Sequence, residues 1–477
     1  MPGHRRRLRS VLGSLRPGPV ADEQLDCVVI GGGFLGLTAL AQLRSEGYRA
    51  VLVTESGLGE GQSLHSHGWF HAGYLPGDAD TAKTWKAGSA KTEAMLAGLG
   101  VDFLRAGRAY LAMGAGDDAE AKRAQSKEAD VPLEDVPLGD LPGSAGGPLA
   151  KDSNQVFQTR EWLFDKAKLT ATLAAAHEDA IITYASPTSF ERGADGAVET
   201  VVLSTGQRLA TRSVAIAAGT GTRGVVETLG ADAEWRGKFQ SGTITMVCLN
   251  APVGVIPDLA IMVTVPEAPL QVASRADDDD TVTWYITPKR PEDGGKLEDF
   301  SGPGNEEAPV DGDAVLHAVE DFRTLFPVRP HMFLACKTAA GLLHKLLLHK
   351  REGVFVQALA KAAAAESACR WGVYNGRVSR IDGEGPGYAE AVPGAPNVAV
   401  GGPGLIHMIS DTAASLIDTL RPALGAVRPT IAHNLGEEPA AAAVGGGVAV
   451  GVPNEDRDGF EWLSEADFNA RYNIDDL

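Results

Sequence analysis

Cysteine is scarce in this sequence, with four residues in 477, at positions 27, 248, 336 and 369. No two of them lie close enough along the chain to suggest a zinc site or a redox-active dithiol, so we predict no bound metal. Scattered cysteines also argue against a disulfide-rich secreted scaffold. We therefore expect a protein of the reducing cytoplasm.

Basic residues and long apolar runs are scarce as well. The 43 lysines and arginines are outnumbered by 62 aspartates and glutamates, and the net charge of −19 makes non-specific attraction to nucleic acid unfavourable. No run approaches the roughly 18 apolar residues that a membrane span needs. The arginines within residues 1–22 precede no sustained apolar stretch, which favours a disordered basic arm over a targeting signal.

Glycine, by contrast, is abundant, and its most informative occurrence follows the apolar run at residues 25–30. Gly31 permits a tight turn off the strand, Gly33 lets the backbone approach a pyrophosphate, and Gly36 allows a helix to pack closely on the strand. The predicted helix over residues 37–46 would offer its N-terminus to the phosphates. The pattern predicts a dinucleotide-binding βαβ unit.

An acidic residue completes this unit. Glu55 follows a second strand-like run at residues 51–54 and is placed to accept hydrogen bonds from an adenosine ribose. An acid at this position disfavours the 2′-phosphate of NADP. Taken alone, the unit would serve NAD as well as FAD.

The chain after this unit divides into recognisable segments. Residues 78–99 have the composition of a helix, whereas residues 114–152 are rich in Ala, Gly, Asp and Pro and predict an exposed loop or a loosely structured insertion. A helix is predicted over residues 162–176, with a turn at 164–165 near its start. A β-rich passage follows from residue 181 to residue 219.

The middle of the chain predicts a separate sheet. Short runs of alternating apolar and polar residues between 241 and 287 indicate antiparallel strands, with the acidic run 277–280 as a solvated hairpin tip. Helical spacing over residues 313–326 places apolar side chains on one face. Near the end, a strand at 397–400 leads through a glycine-rich turn into a helix from about residue 410 to residue 420.

The chain resembles the flavin-dependent oxidoreductases of the D-amino-acid oxidase superfamily. In motif spacing it is most similar to the 2-hydroxyglutarate dehydrogenase and glycine–sarcosine oxidase branches. The segments that carry the resemblance keep the family's order: 31–36 with Glu55, the histidine segment 61–73, 162–165 before a helix, 217–219 at a strand end, and 400–404 before the final helix.

This resemblance implies an α/β fold. We expect a Rossmann-like FAD-binding domain of the glutathione-reductase type, assembled from discontinuous segments, with an inserted antiparallel β-sheet substrate domain. The expected division is a basic arm at 1–22, the FAD-binding domain at 23–110, 150–235 and 390–425, mainly the substrate domain at 236–389, and an Ala/Gly-rich linker and acidic tail at 430–477.

The resemblance also implies FAD as the cofactor. The adenosine half would lie on the first glycine unit, and the ring would reach the 61–73 segment and the 401–404 turn. The helix after that turn would stabilise negative charge on the reduced flavin. The implied cofactor-binding residues are Gly31, Gly33, Phe34, Leu35, Gly36, Glu55, Gln62, Ser63, His65, Gly219, Gly402, Gly404 and Leu405.

Candidate catalytic residues come from two segments. His71 is the leading candidate base, ahead of His65 and His67, because histidine exchanges protons near working pH. Some superfamily members attach flavin covalently to a histidine in this region, which would also fit His71. In the second segment, Tyr285 and Arg290 could bind a substrate carboxylate.

The sequence departs from the family by lacking a clear Gly-Leu-Arg-Pro segment, which supplies a carboxylate-binding arginine in many relatives. An ordinary amino acid substrate is therefore not assured. The leading hypothesis is oxidation of a C–N or C–OH bond of a small polar metabolite, with electrons passed to oxygen or another acceptor. A flavin-dependent desaturase or tailoring enzyme, or a catalytically degraded flavoprotein that acts as an assembly or binding factor, stay open as alternatives.

Overall fold

A computed structural model describes the greater part of the chain. The described residues are 24–64, 66–75, 77–99, 109–114, 117–137, 154–164, 166–252, 260–265, 269–276, 281–289, 312–325, 370–381, 387–402, 405–425 and 471. The predicted basic arm at 1–22, the hairpin tip at 277–280 and nearly all of the tail at 430–477 lie outside these ranges.

Strands and helices alternate in the first half of the chain, and longer strands dominate the second. The strands are β1 Cys27–Ile30, β2 Ala50–Val53, β3 Trp69–Phe70, β4 Ala109–Gly114, β5 Glu134–Asp135, β6 Asn154–Thr159, β7 Trp162–Leu163, β8 Ile181–Ile182, β9 Pro187–Arg192, β10 Val198–Leu203, β11 Arg208–Ala210, β12 Val214–Ile216, β13 Phe239–Pro252, β14 Ala260–Val263, β15 Leu270–Ala276, β16 Thr281–Pro288, β17 Arg370–Ile381, β18 Ala389–Ala391 and β19 Val398–Gly401. The helices are α1 Phe34–Ser45, α2 Ala79–Gly98, α3 Asp117–Glu128, α4 Lys166–Ala175, α5 Thr222–Thr228, α6 Ala233–Gly237, α7 Gly312–Leu325 and α8 Ile409–Leu424.

The first layer of the fold is a six-stranded sheet in the order β18-β19-β12-β1-β2-β8. Its strands are parallel except for β18, and their short continuous apolar runs are typical of strands that are buried on both faces. On one face α1 packs against α8 through an apolar core. On the other face, a three-stranded antiparallel sheet of β9, β10 and β11 contributes to a second core. This sheet is the predicted Rossmann-like layer.

A second, eight-stranded sheet runs in the order β17-β13-β16-β15-β14-β4-β6-β5. Its pairs are antiparallel except for β14 with β4, which confirms a separate sheet domain of largely antiparallel strands. Helix α7 covers one face, and Phe322 packs edge-on against Trp284 with ring centroids 5.6 Å apart. Val315, Val319 and Phe322 are buried as their spacing predicts.

Two local predictions were wrong. The segment 114–152 contains helix α3 and strand β5, because its Ala, Glu and Lys residues favour a helix even without an apolar stripe. The helix predicted from residue 162 begins only at Lys166, because Trp162 and Leu163 pair with β3 as short antiparallel strands. The proposed division into domains stays a prediction. Strands β4 and β6, which precede residue 236, nevertheless belong to the large sheet.

Within the described ranges, no helix combines the length and the apolarity that crossing a bilayer requires. The same residues contain no group of three or more side chains that could hold a metal ion. The cytoplasmic location stays a prediction.

Candidate active site

The turn between β1 and α1 needs glycine at two positions for steric reasons. Gly31 has a φ of +120°, and a Cβ there would lie 2.3 Å from the carbonyl oxygen of Ala217. A Cβ on Gly36 would lie 1.9 Å from the carbonyl oxygen of Gly31. Gly31 therefore makes the turn and Gly36 brings α1 close to the strand, as the sequence predicts.

The N-terminus of α1 fits an anionic ligand. Gly33 provides no side-chain cap, and the first turn contains no acidic residue. The backbone N–H of Phe34 donates to the Ser63 Oγ at 3.0 Å, which places the 61–73 segment beside this helix end. The positive end of the helix dipole favours phosphate. This turn fits the pyrophosphate of FAD.

The ends of the neighbouring parallel strands fit the rest of a dinucleotide. Glu55 is exposed and lies just after β2, the strand that pairs with β1. Gly219 follows β12 with a φ of +55°, and a Cβ there would meet nothing within 4 Å. The Leu35 side chain packs beside Gly401, where a Cβ would lie 2.9 Å from its Cδ2 atom. Its predicted role in cofactor binding stays a prediction.

We expect Glu55→Ala to weaken FAD binding by roughly 10- to 100-fold, since hydrogen bonds to a charged group contribute about 1.5–3 kcal/mol. The dissociation constant can be measured by titrating apoprotein with FAD and following flavin fluorescence. Glu191→Ala, at an exposed position on β9, serves as the control. An unchanged FAD affinity in Glu55→Ala would assign the ribose contact to another residue.

The second glycine-rich turn follows β19. The N–H of Gly402 donates to the carbonyl oxygen of Tyr388 at 2.7 Å, and Leu405 is 36% exposed despite its apolar side chain. A single 3₁₀ turn, Ile406–Met408, then leads into α8. Gly404, like His65 and Arg290, lies outside the described residues, so its predicted role stays a prediction.

The histidine segment lies between the two sheets. Phe70 belongs to the core of the parallel sheet, whereas Trp69 packs in the core of the large sheet. The ring of His71, just after β3, stacks on that of Trp69. His67 Nε2 lies 3.2 Å from Gln271 Nε2 on β15, which joins this segment to the large sheet.

A buried carboxylate that the sequence did not reveal organises this segment. Glu161, which is 1% exposed, accepts a hydrogen bond from the indole N–H of Trp69 at 2.8 Å and one from the backbone N–H of Ala72 at 3.2 Å. His71 Nδ1 lies 3.3 Å from its Oε1 atom. A proton on Nδ1 that is donated to Glu161 leaves the lone pair of His71 Nε2 available to a ligand.

Aromatic rings surround His71. Trp69 stacks on it with centroids 5.8 Å apart and an interplanar angle of 20°, and Trp85 of α2 lies 5.9 Å away with a tilt of 40°. His407 approaches edge-on at 5.8 Å. The sequence indicated only that Trp85 lies in a helix, residues 78–99, and did not indicate His407, because neither residue shares a local motif with His71.

Helix α2 fixes the position of His407. The Thr92 hydroxyl donates to the carbonyl oxygen of His407 at 2.9 Å. A Cβ on Gly88 would lie 2.2 Å from the sulfur of Met408, so glycine allows the helix to approach the 3₁₀ turn closely. Neither ring nitrogen of His407 has a hydrogen-bond partner in the part of the chain that the structure describes.

Burial keeps two of the imidazoles neutral. Burial and the nearby His71 lower the pKa of His407 from 6.5 to about 2. Burial, with a smaller contribution from the nearby His71, Lys289 and Lys166, holds the pKa of His67 well below its ordinary value. Neither ring therefore carries charge at ordinary working pH, and His71 is the imidazole that faces a carboxylate.

The buried His407 should make the protein less stable in acid. Its pKa is lower in the folded state than in the unfolded state, so its contribution is present above about pH 6.5 and is lost as pH falls below that value. From about pH 7.5 to about pH 5 the loss is about 2 kcal/mol. In urea unfolding of the FAD-loaded protein, His407→Phe should lose about 2 kcal/mol less than the parent over this interval. Equal losses in the two proteins would contradict this.

The predicted substrate residue Tyr285 lies under a buried lysine. Tyr285 on β16 is 7% exposed, and the Lys166 ammonium lies 4.7 Å from the centre of its ring. Lys166 also donates a hydrogen bond to the carbonyl oxygen of Ser66. Lys166 thus joins the large sheet to the histidine segment.

The predicted cofactor-binding residue Gln62 is half-buried next to Ser63.

Taken together, these features are those of a flavin-dependent oxidoreductase: a dinucleotide-binding parallel sheet, an antiparallel sheet against it, and a buried histidine–carboxylate pair between them. The family model for FAD-dependent oxidoreductases, DAO, matches residues 26–355. The chain belongs to this family, and FAD is its cofactor.

Known proteins share the sequence only locally and the fold broadly. A relative described as a probable FAD-dependent oxidoreductase of Pseudomonas aeruginosa is 48% identical over 48 residues, which are 10% of this chain and 12% of that protein. The crystal structure of an FAD-dependent oxidoreductase from the same species has a TM-score of 0.57 at 19% identity, covering 86% of this chain and 93% of that chain.

Two other solved structures have the same fold. L-amino acid deaminase from Proteus vulgaris has a TM-score of 0.56 at 18% identity, covering 88% of this chain and 94% of that chain. Glycine oxidase from Geobacillus kaustophilus has a TM-score of 0.57 at 14% identity, covering 83% and 94%. At these identities the likeness establishes the fold alone.

Proposed function

We propose that this FAD-dependent oxidoreductase oxidises a C–N or C–OH bond of a small polar metabolite, with His71 as the base. The observation that carries the proposal is the buried His71–Glu161 pair. Titratable groups held in a specific pair away from solvent are typical of catalytic sites. The position of this pair between the dinucleotide-binding sheet and the large sheet supports a role in chemistry.

The residues divide the work as follows. Bound FAD supplies a hydride acceptor at N5. His71 Nε2 takes the proton from the substrate nitrogen or oxygen, so that the carbon can release its hydride. Glu161 holds the His71 ring through Nδ1 and stabilises the positive charge that forms. The neutral rings around the pair exclude water. Oxygen or another acceptor would take up the electrons of the reaction.

An amine or amino acid is the first substrate class to test. Among the similar folds are proteins described as an L-amino acid deaminase and a glycine oxidase, which supports oxidation of a C–N bond. Tyr285 and Arg290 keep their proposed role in binding a substrate carboxylate. Hydroxy acids form the second class, because the same base would take a hydroxyl proton.

The test is an anaerobic screen of the purified FAD-loaded protein against amines, amino acids and hydroxy acids. A substrate should bleach the absorbance band of the oxidised flavin, and His71→Gln should abolish most of that bleaching. His177→Gln, in which a histidine remote from Glu161 is changed, should behave like the parent. If no compound bleaches the flavin, the binding-factor alternative gains support. A product with a new C=C bond would favour the desaturase.

A further inference from the structure

The ring arrangement around His71 has an electrostatic consequence beyond excluding water. The face of an aromatic ring carries partial negative charge, and a cation within about 6 Å of its centre is attracted. Trp69 and Trp85 lie 5.8 and 5.9 Å from the His71 ring. Both indoles are therefore within range of a positive charge on His71.

In the part of the chain that the structure describes, the charged groups near His71 lie on identifiable elements. Glu161, between β6 and β7, is the carboxylate in contact, and Lys122 of α3 lies close enough to interact electrostatically with it. His67 on the same segment and His407 before α8 have lowered pKa values and stay neutral. Lys166 and Lys289 act on His67. Among the described residues, Glu161 is the carboxylate that contacts His71, and the two indoles add to its effect.

We propose that Trp69 and Trp85 are positioning residues that stabilise the positively charged form of His71 through cation–π contacts, with His407 as the neutral ring that closes the cage. This inference rests on the proposed function, because it supplies the means by which His71 would keep the substrate proton. The contacts are strengthened by burial, since water screens them little.

Trp85 offers the cleaner test of the two indoles. The indole N–H of Trp69 donates to Glu161, so changing Trp69 would also disturb the carboxylate. The indole nitrogen of Trp85 has no hydrogen-bond partner in the described ranges of the chain. Trp85→Leu removes the aromatic face but keeps apolar bulk, and Trp85→Phe restores an aromatic face as the conservative control.

Diethyl pyrocarbonate reports the charge of His71 without any substrate, because it acylates a neutral imidazole and does not acylate a protonated one. The FAD-loaded protein is treated over a range of pH, and modification at His71 is followed by peptide mass spectrometry. In Trp85→Leu the midpoint should move to lower pH by roughly 0.4–1 unit, from a contact of about 0.5–1.5 kcal/mol. In Trp85→Phe the midpoint should lie close to that of the parent.

An unchanged midpoint in Trp85→Leu would overturn the inference, provided that FAD content and thermal unfolding match the parent. If Trp85→Leu does not fold, the imidazole ¹⁵N resonance of His71 in Trp85→Phe and Trp85→Tyr gives the same titration. Both variants keep an aromatic face, so their midpoints should lie close to that of the parent. Midpoints far from the parental value would again overturn the inference. A shifted midpoint without flavin bleaching by any substrate would support the cage and count against the proposed function.

Discussion

Glu161→Gln should reduce the rate constant of flavin reduction by substrate by roughly 10²- to 10⁴-fold, the range that a positioned general base contributes. The change keeps the size of the side chain but replaces one carboxylate oxygen with a donor. FAD should remain bound, because the residues that fit the dinucleotide lie on other elements. The measurement is anaerobic stopped-flow reduction with a substrate found in the screen.

The hydrogen bonds explain why a conservative change has so large an effect. Both oxygens of Glu161 accept, one from the Trp69 indole and the other from the Ala72 backbone, and the second also lies 3.3 Å from His71 Nδ1. An amide NH₂ in either position therefore faces a donor. If it faces His71, the ring must accept at Nδ1 and carry its proton on Nε2, which removes the lone pair that the proposed base uses.

Two comparisons make this result specific. Glu191→Gln, at an exposed ion pair on β9, should reduce flavin at the parental rate. Glu161→Asp keeps the charge but shortens the reach, so its rate should fall between those of the parent and Glu161→Gln. Parental rates of flavin reduction in Glu161→Gln, at full FAD occupancy, would remove Glu161 from the mechanism.

The parts of the site that could be predicted from sequence are those encoded locally. Gly31 and Gly36 follow a strand within one short segment, so their spacing directly predicts the turn and the close packing of the helix. His71 was predicted through a family resemblance in an equally compact segment. The helix at 409–424 and the strand before it were similarly visible from their apolar runs.

The missed residues depend on tertiary structure. Glu161 is 90 positions from His71, and nothing in the run between β6 and β7 marks a glutamate there as buried. His407 reaches the site only because α2 packs on the turn before α8 through Gly88 and Thr92. Contacts of this kind arise when separate elements pack, and a local sequence pattern does not encode them.

Helix α3 was missed for a different reason. Its residues have high helix propensity but no apolar stripe, and apolar periodicity is the main signal by which a helix is predicted. The glycine and proline residues that follow it favoured a loop for the whole segment. The helix matters to the site, because Lys122 interacts electrostatically with Glu161.

Gly36→Ala should reduce FAD affinity by roughly 100-fold or more, equivalent to about 2.7 kcal/mol. The added methyl group would lie 1.9 Å from the carbonyl oxygen of Gly31, which belongs to the rigid end of β1. The helix must therefore move away from the strand, and overpacking of this kind typically costs about 1–3 kcal/mol of stability.

We expect the movement of α1 to affect the cofactor more than the fold, because the helix N-terminus is the part proposed to bind the pyrophosphate. FAD titration of the apoprotein and thermal unfolding measure the two effects separately. Gly98→Ala is the matched control, since a Cβ at this exposed position on α2 meets nothing within 4 Å. If Gly36→Ala binds FAD as tightly as Gly98→Ala does, close packing of the helix on β1 is not what positions the phosphate site.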